Sequence, residues 1–293
     1  MSHGDHVDDH VADEEAVRNA MTVVLGRQPG AGEVESFGRY VAAARLTRGQ
    51  VAVALQATSE AVTASMRDAL ELHLFAIHLA RVRLIATMLP PANRILDLGG
   101  AAAPLCDTGY PHPFEQLTII DLPPEDRHEE FAGRIVAERT TAHGVVRVAY
   151  TSMVDLSMFD DFSIDLVWSG ESLEHIEIED ARRLYAEVRR VLRPDGWFCL
   201  DTPNRKLTRI HAEGGMIHPD HRHEYEPDEL VAELCNGGFD VVRSLGVCDM
   251  PLTASSGMID YRDFVAGAGV TTALDSAYIQ YHACRPSRTF TAR

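Results

Sequence analysis

Acidic and small residues occur at spacings that could bind a nucleoside. Asp97 lies in the apolar run RILDL, which is followed by the small-residue turn GGAAAP, and Asp121 ends the next apolar run, LTIID. Small side chains at such a turn let a ligand approach the backbone N–H groups. An acid at the tip of the following strand can accept both hydroxyls of a ribose. The pair therefore indicates a nucleoside cofactor rather than a simple phosphate.

The segment after this turn argues against a dinucleotide. A dinucleotide site needs a Gly-x-Gly-x-x-Gly turn that opens a helix, and the N-terminus of that helix holds the pyrophosphate. Here the segment is interrupted by Pro104, Gly109, Pro111 and Pro113. Because these residues break a long helix, a cofactor without phosphate groups fits better.

Histidines form a second group that could do chemistry. His175 follows the fourth predicted strand, and four more fall in one stretch, namely His211, His218, His221 and His223. An imidazole accepts a proton near neutral pH, so any of them could act as a general base.

Alternating apolar runs and helical segments predict the elements that position these side chains. Strands are predicted at 94–98, 117–121, 145–150, 164–168, 197–201, 239–246 and 277–284, and helices at 70–89, 129–142, 178–192 and 227–236. Strands separated by helices form a parallel sheet with both faces covered. Asp97 and Asp121 would then share the carboxyl edge of that sheet.

Composition divides the chain into three parts. Residues 1–15 are rich in Asp, Glu and His, which predicts a disordered tail. Residues 16–68 show helical periodicity broken by GRQPGAGE, which predicts a small helical domain or cap of three short helices. The line LGRQPGAGEVESFGRYVAAARLTRGQVAVALQATSEAV resembles a small helical domain of bacterial surface-polysaccharide and calcium-binding-repeat proteins. Residues 69–293 form the main domain, with a predicted lid or insertion at 247–276.

Five motifs, in order along residues 70–285, resemble those of class I S-adenosylmethionine-dependent methyltransferases of the ubiquinone-biosynthesis-like O-methyltransferase type. They are ILDLGG, IIDLPP, FSIDLVWSGESLEHI, EVRRVLRPDGWFCLDTPNR and HPDHRHEYEPDELVAELCNGGFDVV. The last resembles a segment of enzymes that methylate glycans and small metabolites. The resemblance implies an α/β fold with a doubly wound, mostly parallel seven-stranded sheet, whose last strand is antiparallel, behind an N-terminal helical appendage.

The resemblance also implies S-adenosylmethionine as the cofactor, with S-adenosylhomocysteine as the product. The implied cofactor-binding residues are Asp97, Gly99, Gly100, Ala101, Asp121, Leu122, Ser152, Met153 and Ser169. Ser152 and the backbone of Met153 would recognise the adenine, where the family often has an acid. Ala101 and Ala103 stand where the family usually has further glycines, and their methyl groups narrow the space at the aminoacyl end of the cofactor.

Among the histidines, the resemblance favours His221 as the general base. The HxxEY segment that begins at His221 lies over the methyl-transfer cleft in related enzymes, and His218 and His223 are the alternatives. His175 is the other catalytic candidate, although the corresponding histidine of the family usually packs on the helix beside the site.

We predict that the site uses no metal. The spacing of His218, His221, His223 and Glu224 matches no established closed zinc site, and the chain has no CxxC or HExxH motif. Some sugar methyltransferases hold magnesium with paired acids, for which Asp201 and Glu171 are available. The DTPNR line, however, resembles the metal-free branch.

The predicted reaction is methyl transfer to a hydroxyl of a sugar, a glycan precursor or a small secondary metabolite. N-methylation of an amino sugar or a peptide amine is the alternative within enzymes. A non-catalytic methyltransferase-like scaffold is the alternative outside them, because the alanines of the turn could exclude the cofactor.

Charge and composition limit the partners and the compartment. The chain has 27 Lys and Arg against 44 Asp and Glu, a net charge of −17, which disfavours nucleic acid and anionic membranes. A small-molecule or carbohydrate acceptor remains, and a homodimer stays open. No apolar stretch reaches about 18 residues, and the start MSHGDHVDDH lacks the pattern of a secretion signal. The five cysteines form no CxxC pair, so we predict a soluble, cytoplasmic protein.

Overall fold

A computed structural model describes residues 12–25, 29–44, 51, 66–100, 104–126, 138–212, 214–260, 262–263 and 269–290. The chain divides into two compact units, Met1–Ala76 and Ile77–Arg293. The first unit contains α1 (Glu14–Leu25) and α2 (Ala31–Ala44). Its buried apolar cluster consists of Val17, Met21, Val34, Val41 and Val51.

Helix α1 begins inside the segment predicted to be a tail. Asp13 accepts the backbone N–H of Ala16 at 2.9 Å, and Glu14 and Glu15 occupy the first turn. Negative side chains at a helix N-terminus stabilise the helix through its dipole. These acids therefore begin a helix instead of ending a tail, while residues 1–11 of the predicted tail lie outside the described residues.

The second unit has nine strands among its described residues. They are β1 (Arg94–Leu98), β2 (Gln116–Asp121), β3 (Glu138–Thr140), β4 (Val145–Tyr150), β5 (Ile164–Gly170), β6 (Leu192–Pro203), β7 (Phe239–Asp249), β8 (Val270–Thr271) and β9 (Ala277–Pro286). The helices are α3 (Met66–Met88), which belongs to this unit from Ile77 onward, α4 (Ile178–Val191), α5 (Arg205–His211), α6 (Pro227–Asn236) and α7 (Pro251–Ser256).

The strand order places a ligand site at the ends of β1 and β5. The order is β3-β4-β2-β1-β5-β6-β9-β7-β8. From β1 the chain winds outward to β2 and β4 on one side, and then returns to β5 and β6 on the other. In such sheets ligands bind at the carboxyl ends of the strands where the order reverses. The doubly wound order therefore agrees with the prediction.

The sheet differs from the prediction in strand number and in direction. It has nine strands instead of seven, because β3 and β8 add antiparallel pairs at the two edges. Strand β9 is antiparallel, as predicted, and lies between β6 and β7. Four neighbouring pairs are parallel and four are antiparallel, so the sheet is mixed rather than mostly parallel.

Strand β3 contradicts the helix predicted at 129–142. Residues 138–140 pair with β4, and Arg147 of β4 binds Glu138 at 2.7 Å. A cross-strand charge pair stabilises a polar edge strand, which carries no apolar alternation in its sequence. Residues 127–137 of the predicted helix lie outside the described residues.

The predicted lid at 247–276 has regular structure where it is described. Strand β7 continues to Asp249, and α7 and β8 follow. The carboxylate of Asp263 accepts the N–H of Thr253 at 2.8 Å, which ties the end of this segment to the first turn of α7. Residues 261 and 264–268 lie outside the described residues, and the lid role stays a prediction.

Two apolar layers hold β1 from opposite sides. Ile95 packs in one buried cluster with Leu84 of α3, and Leu96 packs in the other with Leu184 of α4 and Leu230 of α6. Each such side chain contributes about 1.5–3 kcal/mol when it is fully buried. Because neighbouring residues of β1 are fixed on both faces, the position of its carboxyl end is fixed as well.

No helix in the described ranges is both long and apolar enough to cross a membrane. All five cysteines lie in those ranges, and each is a free thiol.

Candidate active site

The turn after β1 requires two glycines. Gly99 has φ +72°, in the left-handed region, and a Cβ there would lie 2.7 Å from the Cβ of Ser172. A Cβ on Gly100 would lie 2.3 Å from the carboxyl carbon of Asp97. The backbone of Gly99 and Gly100 therefore lies so close to the side chains of Ser172 and Asp97 that a residue with a Cβ would not fit. Ala101, the next predicted cofactor residue, lies outside the described residues.

Asp97 is a buried acid beneath this turn. It is 1% exposed, and its Oδ2 accepts the N–H of Leu105 at 2.7 Å. Burial raises the pKa of Asp97 to about 7, and the nearby carboxylate of Asp121 acts in the same direction. A cationic ligand beside Asp97 would favour its ionised form.

Asp121 and its neighbours form a more open part of the same edge. The Oδ1 of Asp121 accepts the N–H of Leu122 at 2.7 Å, and its carbonyl accepts the N–H of Thr151 at 2.9 Å. Tyr150 is the partner of Asp121 in the β2–β4 register. Leu122 is 43% exposed and Tyr150 is 42% exposed. A carboxylate therefore lies beside apolar surface that a flat ring could cover.

The remaining predicted cofactor residues are divided between surface and core. Ser152 is exposed after β4, and the Cε of Met153 lies 3.8 Å from the Cβ position of Gly99. Ser169 is completely buried on β5, where its hydroxyl shares a hydrogen bond of 2.7 Å with that of Ser172. Met153 thus reaches the glycine turn, whereas Ser169 supports that turn through Ser172.

A buried ion pair fixes the neighbouring end of β6. Arg81 of α3 donates to both carboxylate oxygens of Asp201, at 2.8 and 3.0 Å, and Asp201 is 0% exposed. The backbone N–H of Glu171 donates to the same carboxylate at 3.0 Å. A magnesium ion held by Asp201 and Glu171 would have to compete with this bidentate guanidinium.

Two further acids follow β5 in a strained and buried segment. Glu171 has φ +51°, and one carboxyl oxygen each of Glu171 and Glu174 is buried without a hydrogen-bond partner. Burial raises the pKa of Glu171 to about 7 and raises that of Glu174 well above its usual range. The other oxygen of Glu174 accepts the hydroxyl of Thr202 at 2.9 Å. Unsatisfied buried acids and left-handed backbone are both concentrated at functional sites.

His221 is oriented by a carboxylate. Its Nδ1 lies 2.7 Å from Oε1 of Glu224, and the residue is 9% exposed. Burial opposes the ionisation of Glu224, but hydrogen bonds from His221, Thr208, the Ile217 N–H and Arg205 outweigh it and hold the pKa at about 2. Because an ionised carboxylate can only accept, Nδ1 of His221 carries the proton and Nε2 is the basic nitrogen.

The structure brings His175 and His218 to His221. The ring centroids of His175 and His221 are 4.8 Å apart, those of His218 and His221 are 5.5 Å apart, and those of His175 and His218 are 6.0 Å apart. Burial and the two neighbouring imidazoles lower the pKa of His175 to about 4, so it is neutral at pH 7. We call these three residues the histidine cluster. The cluster is connected to the glycine turn through the chain, because a Cβ on Gly99 would meet Ser172 and the short helix of Leu173–His175 follows Ser172 directly.

The other two candidate histidines lie outside the cluster. Nε2 of His223 lies 2.7 Å from a carboxylate oxygen of Glu229, and its ring stands edge-on to Tyr225 at 4.4 Å. His211 is bonded to the hydroxyl of Tyr278 at 2.5 Å. Neither His211 nor His223 therefore belongs to the group around His221.

Sequence reasoning missed the partnership of His175 with His221. The loop that carries His221 is joined to the end of β5 through backbone bonds, since the N–H groups of Arg222 and His223 donate to the carbonyl of Glu174 at 2.7 and 3.2 Å. No local spacing indicates such a contact. The acidic pair at Glu171 and Glu174 was the available signal, because two acids in the short segment SGESLEHI are costly to bury without a function.

A nucleoside with a cationic tail fits this edge of the sheet. Asp121 can accept ribose hydroxyls, and the exposed faces of Leu122 and Tyr150 can cover a base. At the other end, Asp97 is a buried acid whose pKa is raised mainly by burial. A sulfonium or ammonium group at the glycine turn would place a positive charge beside it.

Comparison with known proteins gives the same family. Residues 96–200 match the methyltransferase domain family. A protein of Mycolicibacterium smegmatis, named as a probable S-adenosylmethionine-dependent methyltransferase, is 33% identical over 115 residues, which is 38% of this chain and 43% of that protein. A Mycobacterium tuberculosis protein of the same name is 32% identical over 116 residues, 40% of this chain and 41% of that protein. The alignments thus span less than half the length of these curated relatives.

Solved structures share the fold at low identity. An S-adenosylmethionine-dependent methyltransferase of Thermotoga maritima is 16% identical, with a TM-score of 0.51 over 73% of this chain and 91% of that chain. A Haloferax volcanii methyltransferase, solved with the Trm112 methyltransferase activator, is also 16% identical, with a TM-score of 0.50 over 78% of this chain and 97% of that chain. The match at residues 96–200 and the similarity of this part of the chain to the curated relatives support an S-adenosylmethionine-dependent methyltransferase domain there, an enzyme domain whose cofactor is S-adenosylmethionine.

Proposed function

We propose that the protein transfers a methyl group from S-adenosylmethionine to a hydroxyl of a small polar acceptor, such as a sugar, a glycan precursor or a secondary metabolite. The observation that carries this proposal is the pairing of His221 with Glu224 within the histidine cluster. A carboxylate that holds Nδ1–H leaves Nε2 ready to take a proton.

The proposed cofactor-binding residues mainly hold and orient the cofactor. Asp121 orients the ribose, and Leu122, Ser152 and Met153 border the adenine. Asp97 compensates positive charge at the aminoacyl end. The bound cofactor supplies an electrophilic methyl group, so the protein needs only to align the acceptor with it and to remove one proton.

His221 is the first candidate for that proton acceptor. Its Nδ1–H stays with Glu224 while Nε2 accepts the proton of the acceptor hydroxyl. The pKa of Glu224, held at about 2, keeps a negative charge beside the imidazolium that forms. His175, which is neutral at pH 7, borders the same space and contributes shape rather than charge.

A cavity beside Glu224 offers space for an acceptor. It has a volume of about 340 Å³ and is lined by Arg205, Met216, His223, Glu224, Glu226, Asp228 and Glu229. More of its surface is apolar than polar, but six of the seven residues have polar or charged groups that can bind hydroxyls of an acceptor. The four carboxylates also give a specific reason to test an amine acceptor, and N-methylation is therefore the second candidate function.

The test begins with the cofactor. Calorimetric titration of the full chain with S-adenosylhomocysteine should give micromolar affinity, and absence of binding to folded protein at millimolar ligand would leave only the scaffold function. Transfer of labelled methyl groups is then measured with matched sugars and amino sugars. Methylation confined to the amino sugars, at nitrogen, would replace the O-methyltransferase assignment with the second candidate.

The role of His221 is tested in the same assay. His221→Ala should lower the single-turnover rate by roughly 10²–10⁴ while S-adenosylhomocysteine affinity stays nearly unchanged, because loss of a general base acts on the transition state. His143→Ala replaces an exposed histidine that does not line this cavity, so it is the control and should keep the rate. Equal rates for the two variants would remove His221 from the reaction.

We also propose a cytoplasmic location. The support is chemical: all five cysteines are free thiols, and three of them are buried. Thiols persist in a reducing compartment.

A further inference from the structure

We propose that the histidine cluster of His175, His218 and His221 binds a divalent transition-metal ion of the zinc, cobalt and iron(II) class. One ligand nitrogen from each ring lies within 4.8 Å of the other two. Imidazole nitrogens are the donors that these ions prefer, and three of them with one open position form a common catalytic metal site.

The cluster needs only a small movement to close around an ion. Nitrogens bound to one tetrahedral ion at about 2.1 Å are about 3.4 Å apart, so the widest separation must shrink by roughly 1.4 Å. His218 can supply much of this movement. Its Nδ1 accepts the N–H of Asp220 at 3.2 Å, which is long for a hydrogen bond and inexpensive to exchange for a metal bond.

The ring of His221 is already held from behind. Its Nδ1 is bound by Glu224, which leaves Nε2 for the ion. The backbone of Asp220 lies beside His175. Histidines that ligate metals usually donate their second nitrogen to a carboxylate or a carbonyl, and this contact fixes both the ring and its tautomer.

The surrounding charges favour a cation. The carboxylate of Glu224 lies directly behind His221. A divalent ion would be attracted to this carboxylate more strongly than a proton on one of the imidazole rings, because the ion carries twice the charge.

The catalytic role of the ion rests on the proposed function, whereas binding of the ion to the histidine cluster does not. An acceptor hydroxyl bound at the open coordination position would have a lower pKa and would release its proton to solvent before the oxygen attacks the methyl group. In that state His221 would be a ligand, and the lowered pKa of the acceptor hydroxyl would let solvent take its proton, so that no free histidine base would be needed. The ion would also place the acceptor oxygen beside the glycine turn.

The metal measurement must exclude the histidine-rich start of the chain. We therefore use full-length protein in which His3, His6 and His10 are replaced by Ala. The protein is stripped with a chelator, dialysed against Co²⁺ or Zn²⁺, and analysed for bound metal and for the visible absorption of Co²⁺. We expect one equivalent per chain and an absorption spectrum of a low-coordinate site with nitrogen ligands.

Variants of the cluster decide where that ion binds. His175→Ala, His218→Ala and His221→Ala should each weaken binding by at least about 100-fold, and Glu224→Gln should weaken it by about 10–100-fold and shift the Co²⁺ spectrum. His223→Ala is the control and should retain the full equivalent. Stoichiometric binding that survives all three cluster substitutions would overturn the site.

The cofactor titration separates this proposal from the preceding one. Each variant is titrated with S-adenosylhomocysteine, and normal affinity shows that its domain is folded. Folded protein that binds the cofactor but takes up no Co²⁺ or Zn²⁺ refutes the metal site and leaves the methyltransferase function intact. Protein that binds the metal at the cluster but not the cofactor refutes the proposed function instead.

Discussion

Replacing Asp97 by Asn should make the cofactor-free protein more stable at alkaline pH and impair cofactor binding. Asp97 is buried, and burial raises its pKa from 3.8 to about 7. Asn is nearly isosteric and can still accept the N–H of Leu105, so the substitution mainly removes the ionisation. The variant therefore isolates the free-energy cost of a buried charge.

The sign follows from proton linkage. An acid whose folded pKa is above its unfolded pKa binds protons more tightly in the folded state, so stability is fully present below pH 3.8 and is lost as the pH rises to about 7. At about 1.4 kcal/mol per pH unit, the loss for wild-type Asp97 reaches up to about 4 kcal/mol. The Asp97→Asn variant does not lose this stability, because the Asn side chain does not ionise. Its gain over wild type should thus be small near pH 4 and grow toward pH 8.

The assay is urea unfolding of cofactor-free protein at several pH values across that window. Asp126→Asn removes an exposed carboxyl and controls for the change in net charge. Cofactor affinity is measured in parallel and should fall at least tenfold for Asp97→Asn, because the positive end of S-adenosylmethionine loses a charged partner. A stability difference that is the same at pH 5 and at pH 8 would refute the argument from burial.

Three further predictions test neighbouring parts of the site. Asp121→Ala should weaken S-adenosylhomocysteine binding tenfold or more in calorimetry, since a ribose diol loses two charge-assisted hydrogen bonds worth roughly 1.5–3 kcal/mol each; unchanged affinity would remove Asp121 from the site. Arg81→Met should lower the free energy of unfolding, measured in urea, by about 3–5 kcal/mol, because Asp201 is left as a buried charge without its ion-pair partner. Arg83→Met, on the exposed side of α3, is the control and should change the free energy of unfolding by less than about 0.5 kcal/mol. Gly100→Ala should abolish cofactor binding in a folded protein, because its Cβ would displace the carboxyl of Asp97; normal binding would show that the turn can shift.

The strands could be predicted where burial dictates their composition. The predicted bounds of β1 and β4 match those observed, and β5 and β9 differ only at their ends. These strands are apolar runs bounded by turn residues, which is the pattern of a covered sheet. Strand β3 could not be predicted, because an exposed edge strand of three residues is stabilised by its neighbour rather than by its own composition.

The positions of candidate site residues could be predicted where they lie at the end of a single strand. Asp97, Gly99 and Asp121 lie at the ends of β1 and β2, and the local order of apolar, acidic and small residues indicates such positions. The histidine cluster was not predictable in this way. Its members come from the turn after β5 and from the loop before α6, and only the folded sheet brings these two segments together.

The charge of this edge has a consequence for the catalytic cycle. Buried Asp97 has its pKa raised to about 7, and Asp121 acts on it in the same direction, so the glycine turn favours a cationic ligand. S-adenosylmethionine carries a sulfonium charge, and S-adenosylhomocysteine carries none at that sulfur. The ionised form of Asp97 is unfavourable in the empty site. The sulfonium of S-adenosylmethionine would stabilise that form, and this stabilisation would be lost at the sulfur after methyl transfer. Under the proposed role of Asp97, the same feature that destabilises the empty protein would weaken product binding relative to donor binding, which would favour exchange of product for donor after each turnover.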